Sequence, residues 1–426
     1  MPPRERNERG RIGESRVKTG RLFVVNYEPW VSASASYVLE RAKQVIESFG
    51  VRDPGSEGER RAQESVHEEL AQYVDEARIE PFTVAPKAFM GFLPITCLLL
   101  LGTVLLYRAV PWCAAACAWL GLLTAVLEFG RYRLFLDPFF PKRTSHNVYG
   151  VRKASQGAQR RIILCGHIDA AYEMRYNLMS RGALLGVVLS GLASTAFLLF
   201  LSSAQALGGE WLQAHAGAVW QWAERLRFAT IPVCLLMSFF TRFSVVSPGA
   251  NDNLTGVFTA LSVLKRLHET GVRFEHTEVA CLSSGSEEAG LRGAKAFVAR
   301  HHAELTGIET VFVALDTFRD AEHLAVYARD LNGSVKHHPG VCRLLQEAGK
   351  DCGVALRYES VFLGSSDATA FTQAGIPAAA LGGMDPSPPR YYHTRLDRWD
   401  NMDAECVQRA IAVAMRAVER YDAHGL

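Results

Sequence analysis

The chain has 426 residues, 49% hydrophobic and 21% charged, a balance that excludes disorder over most of its length and allows more than one domain. Its formal net charge of +2 gives no case for nucleic acid as a partner. Nine cysteines, an odd number without a CxxC pair, point to a reduced compartment, and the polar first 20 residues predict no secretory signal.

Residues 1–35 read as a flexible basic tail. Positions 1–21 hold seven Arg and Lys against three Glu, which suits a solvated segment or one lying on anionic lipid. From residue 36 the pattern turns helical. "SYVLERAKQVIESFG" closes on Gly50, and "SEGERRAQESVHEELAQYV" opens with Ser56 as N-cap and Glu59 three places on, a capping box. "ARIEPFTV" (77–84) then alternates like a strand.

Two insertions follow in an otherwise soluble pattern. Between Lys87 and Arg108 lie 20 uncharged residues, and 19 more run from 109 to 127. About 20 apolar residues cross a bilayer core as a helix, so 88–128 reads as a transmembrane hairpin. Residues 182–209 form a third uncharged run, and the 14 uncharged residues between Arg227 and Arg242 a weaker fourth. Trp211, Trp220 and Trp222 between them suit an interfacial loop, so 182–243 reads as a second hairpin. Each insertion must leave and return on one side, which requires an even number of crossings. Lys87, Arg131, Arg133, Lys142, Arg143, Arg175, Arg181 and Arg242 flank the spans on the soluble side. Only Arg108, Arg225 and Arg227 mark the tips. The positive-inside rule then puts the soluble part in the cytoplasm, on an inner or plasma membrane.

The remaining blocks, 36–87, 129–181 and 244–426, read as one α/β domain. "HNVYGVR" (146–152), "RIILCG" (161–166), "EVACLSS" (278–284) and "TVFVALD" (310–316) are strands. "NLTGVFTALSVLKRLHET" and "GLRGAKAFVARHHAEL" are helices. This alternation predicts a mainly parallel mixed sheet with helices on both faces, and a site outside the carboxyl ends of the strands. At those ends stand His167 and Asp169, Asp252, the pair Glu287 and Glu288, and Asp316. His393 lies in a late loop. Each alone suits a helix cap or a solvated turn. Together they offer the His and carboxylate chemistry of zinc and similar ions.

The motifs "GHID", "GANDNLTG", "SEEAGLRGAKAF", "ALD", "SSDATAFTQAGIPAAAL" and "YYHTRLDRWDNMD" resemble, in order, those of peptidase family M28, the di-zinc aminopeptidases. The resemblance spans about residues 37–422 without the apolar insertions. It implies two divalent ions, zinc by preference, bridged by Asp252. His167 and Asp316 would hold one ion, Glu288 and His393 the other. Glu287 would be the general base and Asp169 would orient His167. A peptide is the implied substrate and the bilayer a further partner. Glutaminyl cyclase chemistry on a similar ligand set, and an inactive membrane scaffold, are the competing expectations. "TFRD" after Asp316, without the family's frequent glycine, and Ala368, where many relatives have His, depart from the pattern and bear on substrate preference.

Overall fold

The structure, a computed structural model, describes residues 29–331, 333–361 and 364–426. Most of the expected basic tail, residues 1–28, lies outside the described residues. Positions 29–35 do not belong to a tail, because the first helix already starts at Pro29. In chain order the helices are α1 (Pro29–Phe49), α2 (Glu57–Leu70), α3 (Ala88–Leu106), α4 (Pro111–Ala125), α5 (Arg175–Met179), α6 (Arg181–Leu226), α7 (Thr230–Ser238), α8 (Thr255–Glu269), α9 (Arg292–Gly307), α10 (Pro339–Asp351), α11 (Ala368–Gln373) and α12 (Ala404–His424). The strands are β1 (Glu76–Val84), β2 (Arg143–Arg152), β3 (Arg160–His167), β4 (Tyr172–Met174), β5 (Thr241–Val246), β6 (Thr277–Ser284), β7 (Glu309–Phe318), β8 (Leu324–Asp330), β9 (Val335–Lys336), β10 (Arg357–Ser360) and β11 (Ala378–Gly383).

One sheet runs in the order β1-β2-β6-β3-β7-β11-β8-β10, with β9 on β8. The central strands β6, β3, β7 and β11 are parallel, and β2 and β8 join them antiparallel on either side. The expected mainly parallel mixed sheet is therefore present, with helices on both faces. β3 shows why its apolar run was continuous. Ile162 and Leu164 face α1, α8 and α12, while Ile163 and Cys165 face Phe297 of α9 and Phe371 of α11. A strand covered on both sides cannot alternate apolar with polar.

Topology puts both insertions at one edge. β1 is antiparallel to β2, and β2 to β6, so β1 ends at the edge where β6 and β3 end. The chain leaves that edge after Val84, returns at Arg143, leaves again after His167 and returns through β5. The short ladder of β4 with β5 clamps the base of the second insertion.

Three helical segments among the described residues are long and apolar enough to cross a membrane: Ala88–Leu106, Pro111–Gly130 and Arg181–Ser238. In the first hairpin, Thr96 and Thr103 of α3 donate to the carbonyls of Gly121 and Ala114 in α4, at 3.3 and 3.1 Å. The second insertion differs from expectation. Trp211, Trp220 and Trp222 lie on helical turns rather than in a loop, and the chain between Arg181 and Leu226 breaks from helical backbone at Gly208 and Gly217. Gly217, at φ 41°, takes a backbone that other residues rarely adopt. The return limb therefore starts near residue 218 and runs to Ser238, interrupted by a short turn at 227–229. Trp220 packs on Tyr107 and Leu201, and Cys234 on Cys97 and Leu198, so this limb is antiparallel to the start of α6. Trp220 is thus buried between helices, whereas Trp211 and Trp222 face outward.

Candidate metal centre

The expected site residues gather at the carboxyl edge, at strand ends or in the turns and loops beyond them. His167 ends β3, Asp316 lies near the end of β7, and Glu287 and Glu288 follow β6 in a tight turn. Asp252 precedes α8, whose first turn is wedged against the strand ends. A Cβ on Gly166 would meet the Val257 nitrogen at 2.3 Å, and one on Gly256 the Leu315 carbonyl oxygen at 2.1 Å. Only glycine permits that approach, and it sets Asp252 between β3 and β7.

The six residues His167, Asp252, Glu287, Glu288, Asp316 and His393 line one cavity. His167 Nε2 lies 3.1 Å from Asp252 Oδ1. His393 Nε2 lies 3.1 Å from Asp252 Oδ2 and 3.2 Å from Glu288 Oε1. Yet Asp252 Oδ2 and Glu288 Oε1 are buried and make no hydrogen bond. The atoms crowd at contact distance without pairing, as donors converging on a common point do. Separations near 3.3 Å are what a tetrahedral ion with bonds of about 2.0 Å needs. His167, Asp252 and Glu288 present ligand atoms within 4.8 Å of one another. Asp316 stands apart from that trio and accepts from the Thr317 hydroxyl at 2.9 Å. The donor set fits divalent zinc.

Electrostatics agree with a cation site there. Burial pushes the Glu287 carboxyl well up; His167 opposes this, while Asp367, Glu288 and Asp316 add to it. Burial likewise raises Glu288 and brings Asp316 up to about 7. Asp252 goes the other way, since His167 and His393 outweigh its burial. Burial lowers His167, but Glu287, Asp169 and Asp252 more than reverse it. A divalent ion is what would let these buried carboxylates stay ionised together.

Asp169 does something other than orienting a ring alone. Its Oδ1 is 3.5 Å from His167 Nδ1, while its backbone oxygen is nearer, at 3.2 Å. The carboxylate instead accepts the backbone N–H groups of Glu287 and Glu288, at 2.9 and 3.0 Å. It ties the His strand to the glutamate turn. Glu59, expected only as a capping-box partner, reaches across as well. Ser56 caps α2 at Glu59 N, but the Glu59 side chain accepts from Gly55 N at 2.7 Å and from Ser286 N and Oγ, at 2.6 and 3.0 Å.

Sequence reasoning missed three supporting groups. Asp397 accepts from the backbone of Asn251 and Asp252, at 3.0 and 3.1 Å, and from the Asn251 amide at 2.7 Å. Asp367 accepts the Ser284 hydroxyl just before the glutamate turn. Tyr132, which follows the first hairpin, lines the cavity. The one available signal was Asp397's place four residues after His393.

Residues 234–418 match the sequence model of peptidase family M28. Over that stretch the chain resembles the M28 peptidases. The stretch contains Asp252, Glu287, Glu288, Asp316 and His393 of the M28-like centre. By fold, the chain is similar to a zinc aminopeptidase from Bacillus subtilis, with a TM-score of 0.55 at 15% identity, covering 91% of this chain and 95% of that one. An aminopeptidase from Aneurinibacillus sp. strain AM-1 gives 0.55 at 15% identity, over 92% and 95%. A glutaminyl cyclase from an Acidobacteriales bacterium gives 0.53 at 14%, over 92% and 96%. At these identities the likeness concerns the fold. No curated protein matches by sequence.

Proposed function

We propose that the chain is a membrane-anchored, di-metal exopeptidase that removes N-terminal residues from peptides. The observation that carries this is the convergence of six His and carboxylate side chains in one cavity at the carboxyl edge of an M28-type sheet. In this assignment Asp252 is shared, with His167 and Asp316 on one side and Glu288 and His393 on the other. When bound, two zinc ions would polarise the scissile carbonyl and lower the pKa of a water between them. Glu287, 3.9 Å from His167 Nε2 at the cavity wall, takes the proton of the attacking water on its carboxylate and passes it to the leaving nitrogen. Asp169, through two backbone N–H groups, holds the turn that carries Glu287 and Glu288.

Among the described residues lining the cavity none is Lys or Arg. Apart from bound metal, a free substrate carboxylate would find no cationic side chain there to pair with. This favours an aminopeptidase over a carboxypeptidase. Cyclisation of N-terminal glutamine is the second reading, favoured by the shared fold of the glutaminyl cyclases. Twenty of the twenty-eight exposed large apolar side chains among the described residues fall in the two insertions, which supports a bilayer around them. The tips carry only Arg108, Arg225 and Arg227, fewer basic residues than flank the insertions at the sheet, in keeping with a cytoplasmic site.

The test is a pair of variants. Glu287→Gln is expected to lower release of N-terminal residues by at least about a hundredfold while zinc content stays at the wild-type level. Glu288→Ala is expected to lose zinc. Full activity in Glu287→Gln contradicts the assignment, and pyroglutamate formation without residue release selects the cyclase reading.

A further inference from the structure

The cavity at the metal centre does not end at the sheet. The same space, of about 340 Å³, continues between the helices of the two insertions. Beyond His167, Glu287 and His393 its wall passes to Cys97 and Leu100 of α3, Leu192 of α6 and Val233 of α7. Along α3 it is lined from Phe89 to Leu100, a rise of about 16 Å at the helical pitch. Leu192 lines it and is 64% exposed, so the cavity reaches the molecular surface at α6. One end of the cavity is thus acidic and polar, and the other is apolar and opens where lipid would lie.

We propose that the substrate is an amide-bearing amphiphile that enters from the bilayer, its head group at the metal centre and a long hydrocarbon chain between α3, α6 and α7. This rests on the hydrolase reading above. An ordinary peptide chain in the helical limb would leave its backbone N–H and C=O groups unpaired among apolar side chains, at a cost for each. A hydrocarbon chain has no such groups and gains from every buried methylene. The reaction itself is unchanged: water adds its oxygen to the carbonyl carbon, the C–N bond breaks, and the amine leaves with the proton. Anchoring the domain in a membrane then has a reason beyond location, since the spanning helices form the substrate's binding wall.

The test uses the full chain, zinc-loaded, in detergent micelles. One series is leucine butylamide and leucine dodecylamide, with the chain on the leaving amine. The other is Nε-acetyl-lysine and Nε-dodecanoyl-lysine amides, with the chain on the N-terminal residue. In at least one series kcat/KM is expected to rise more than about tenfold with the long chain. Partition into the micelle is common to all proteins, so the deciding quantity is the long-to-short ratio in Val188→Trp and Leu192→Trp relative to wild type. A fall of at least about fivefold in either variant supports the proposal. An unchanged ratio in both, or no long-chain preference in either series, overturns it while leaving the hydrolase reading in place. If the wild type cleaves no amide at all, that reading fails and binding to Glu287→Gln decides. Tighter binding of the dodecyl than the butyl compound, weakened by Val188→Trp or Leu192→Trp, upholds the lipid site, and equal binding removes it.

Discussion

At the scale of single residues the centre depends on groups that hold the ligands still. Asp397 accepts three N–H groups from Asn251 and Asp252, and burial together with the nearby Asp252 charge brings its carboxyl up to about 7. Asp397→Asn would turn at least one acceptor into a donor facing those N–H groups. Zinc affinity, read by competition with a chelating dye, should fall about 10–100-fold. An unchanged affinity would show that Asp252 is positioned without it. The ligand-type residues were legible because each follows a recognisable strand or turn in order. Asp397 was not, since nothing in local spacing links it to a backbone 145 residues earlier. Glu59 was read for one role and has two, because a capping box says nothing of what its Glu can reach beyond its own helix.

Between elements, the base of the second insertion grips the loop that carries His393. Glu173 in β4 is buried and receives a two-pronged contact from Arg395, at 2.6 Å from both nitrogens. Met174 N donates to the His393 carbonyl at 2.8 Å, and the Asn177 amide to the Tyr392 carbonyl at 2.7 Å. Arg395→Ala strips Glu173 of its main partner, leaving Arg242 at 4.0 Å. With Arg395 half exposed, we expect a lower Tm for the variant. Zinc affinity should fall several-fold with it, and a destabilised variant with unaltered zinc affinity would sever insertion from centre. Elements differed in how well sequence showed them. β3 and β6 declare themselves by apolar runs. β11, "AAALGG", does not, since small residues have little strand preference. Its glycines are needed by packing: a Cβ on Gly382 would meet the Tyr327 ring at 2.6 Å, and one on Gly383 the Cys406 sulfur at 2.7 Å. In α6 the tryptophans suggested a loop, yet they lie on helical turns either side of the break at Gly217, with Trp220 packed on Tyr107 and Leu201.

For the whole molecule, the arrangement joins a mixed sheet to two helical insertions that rise from the edge carrying the candidate site. Alternating strands and helices made the first legible, and uncharged runs the second. That both meet over one cavity follows from strand order, which no local pattern encodes. If the outward faces of α3, α4 and α6 lie in lipid, alkaline carbonate should leave the protein in the membrane pellet, and release into the supernatant would make those faces a protein interface instead. The central claim, a metal-dependent exopeptidase, is tested most directly on one purified sample, with metal analysis beside a peptide-library digest. The account predicts about two zinc ions per chain, loss of N-terminal residue release on chelation, and recovery on adding zinc back. Undiminished peptide cleavage by the metal-free protein would contradict it.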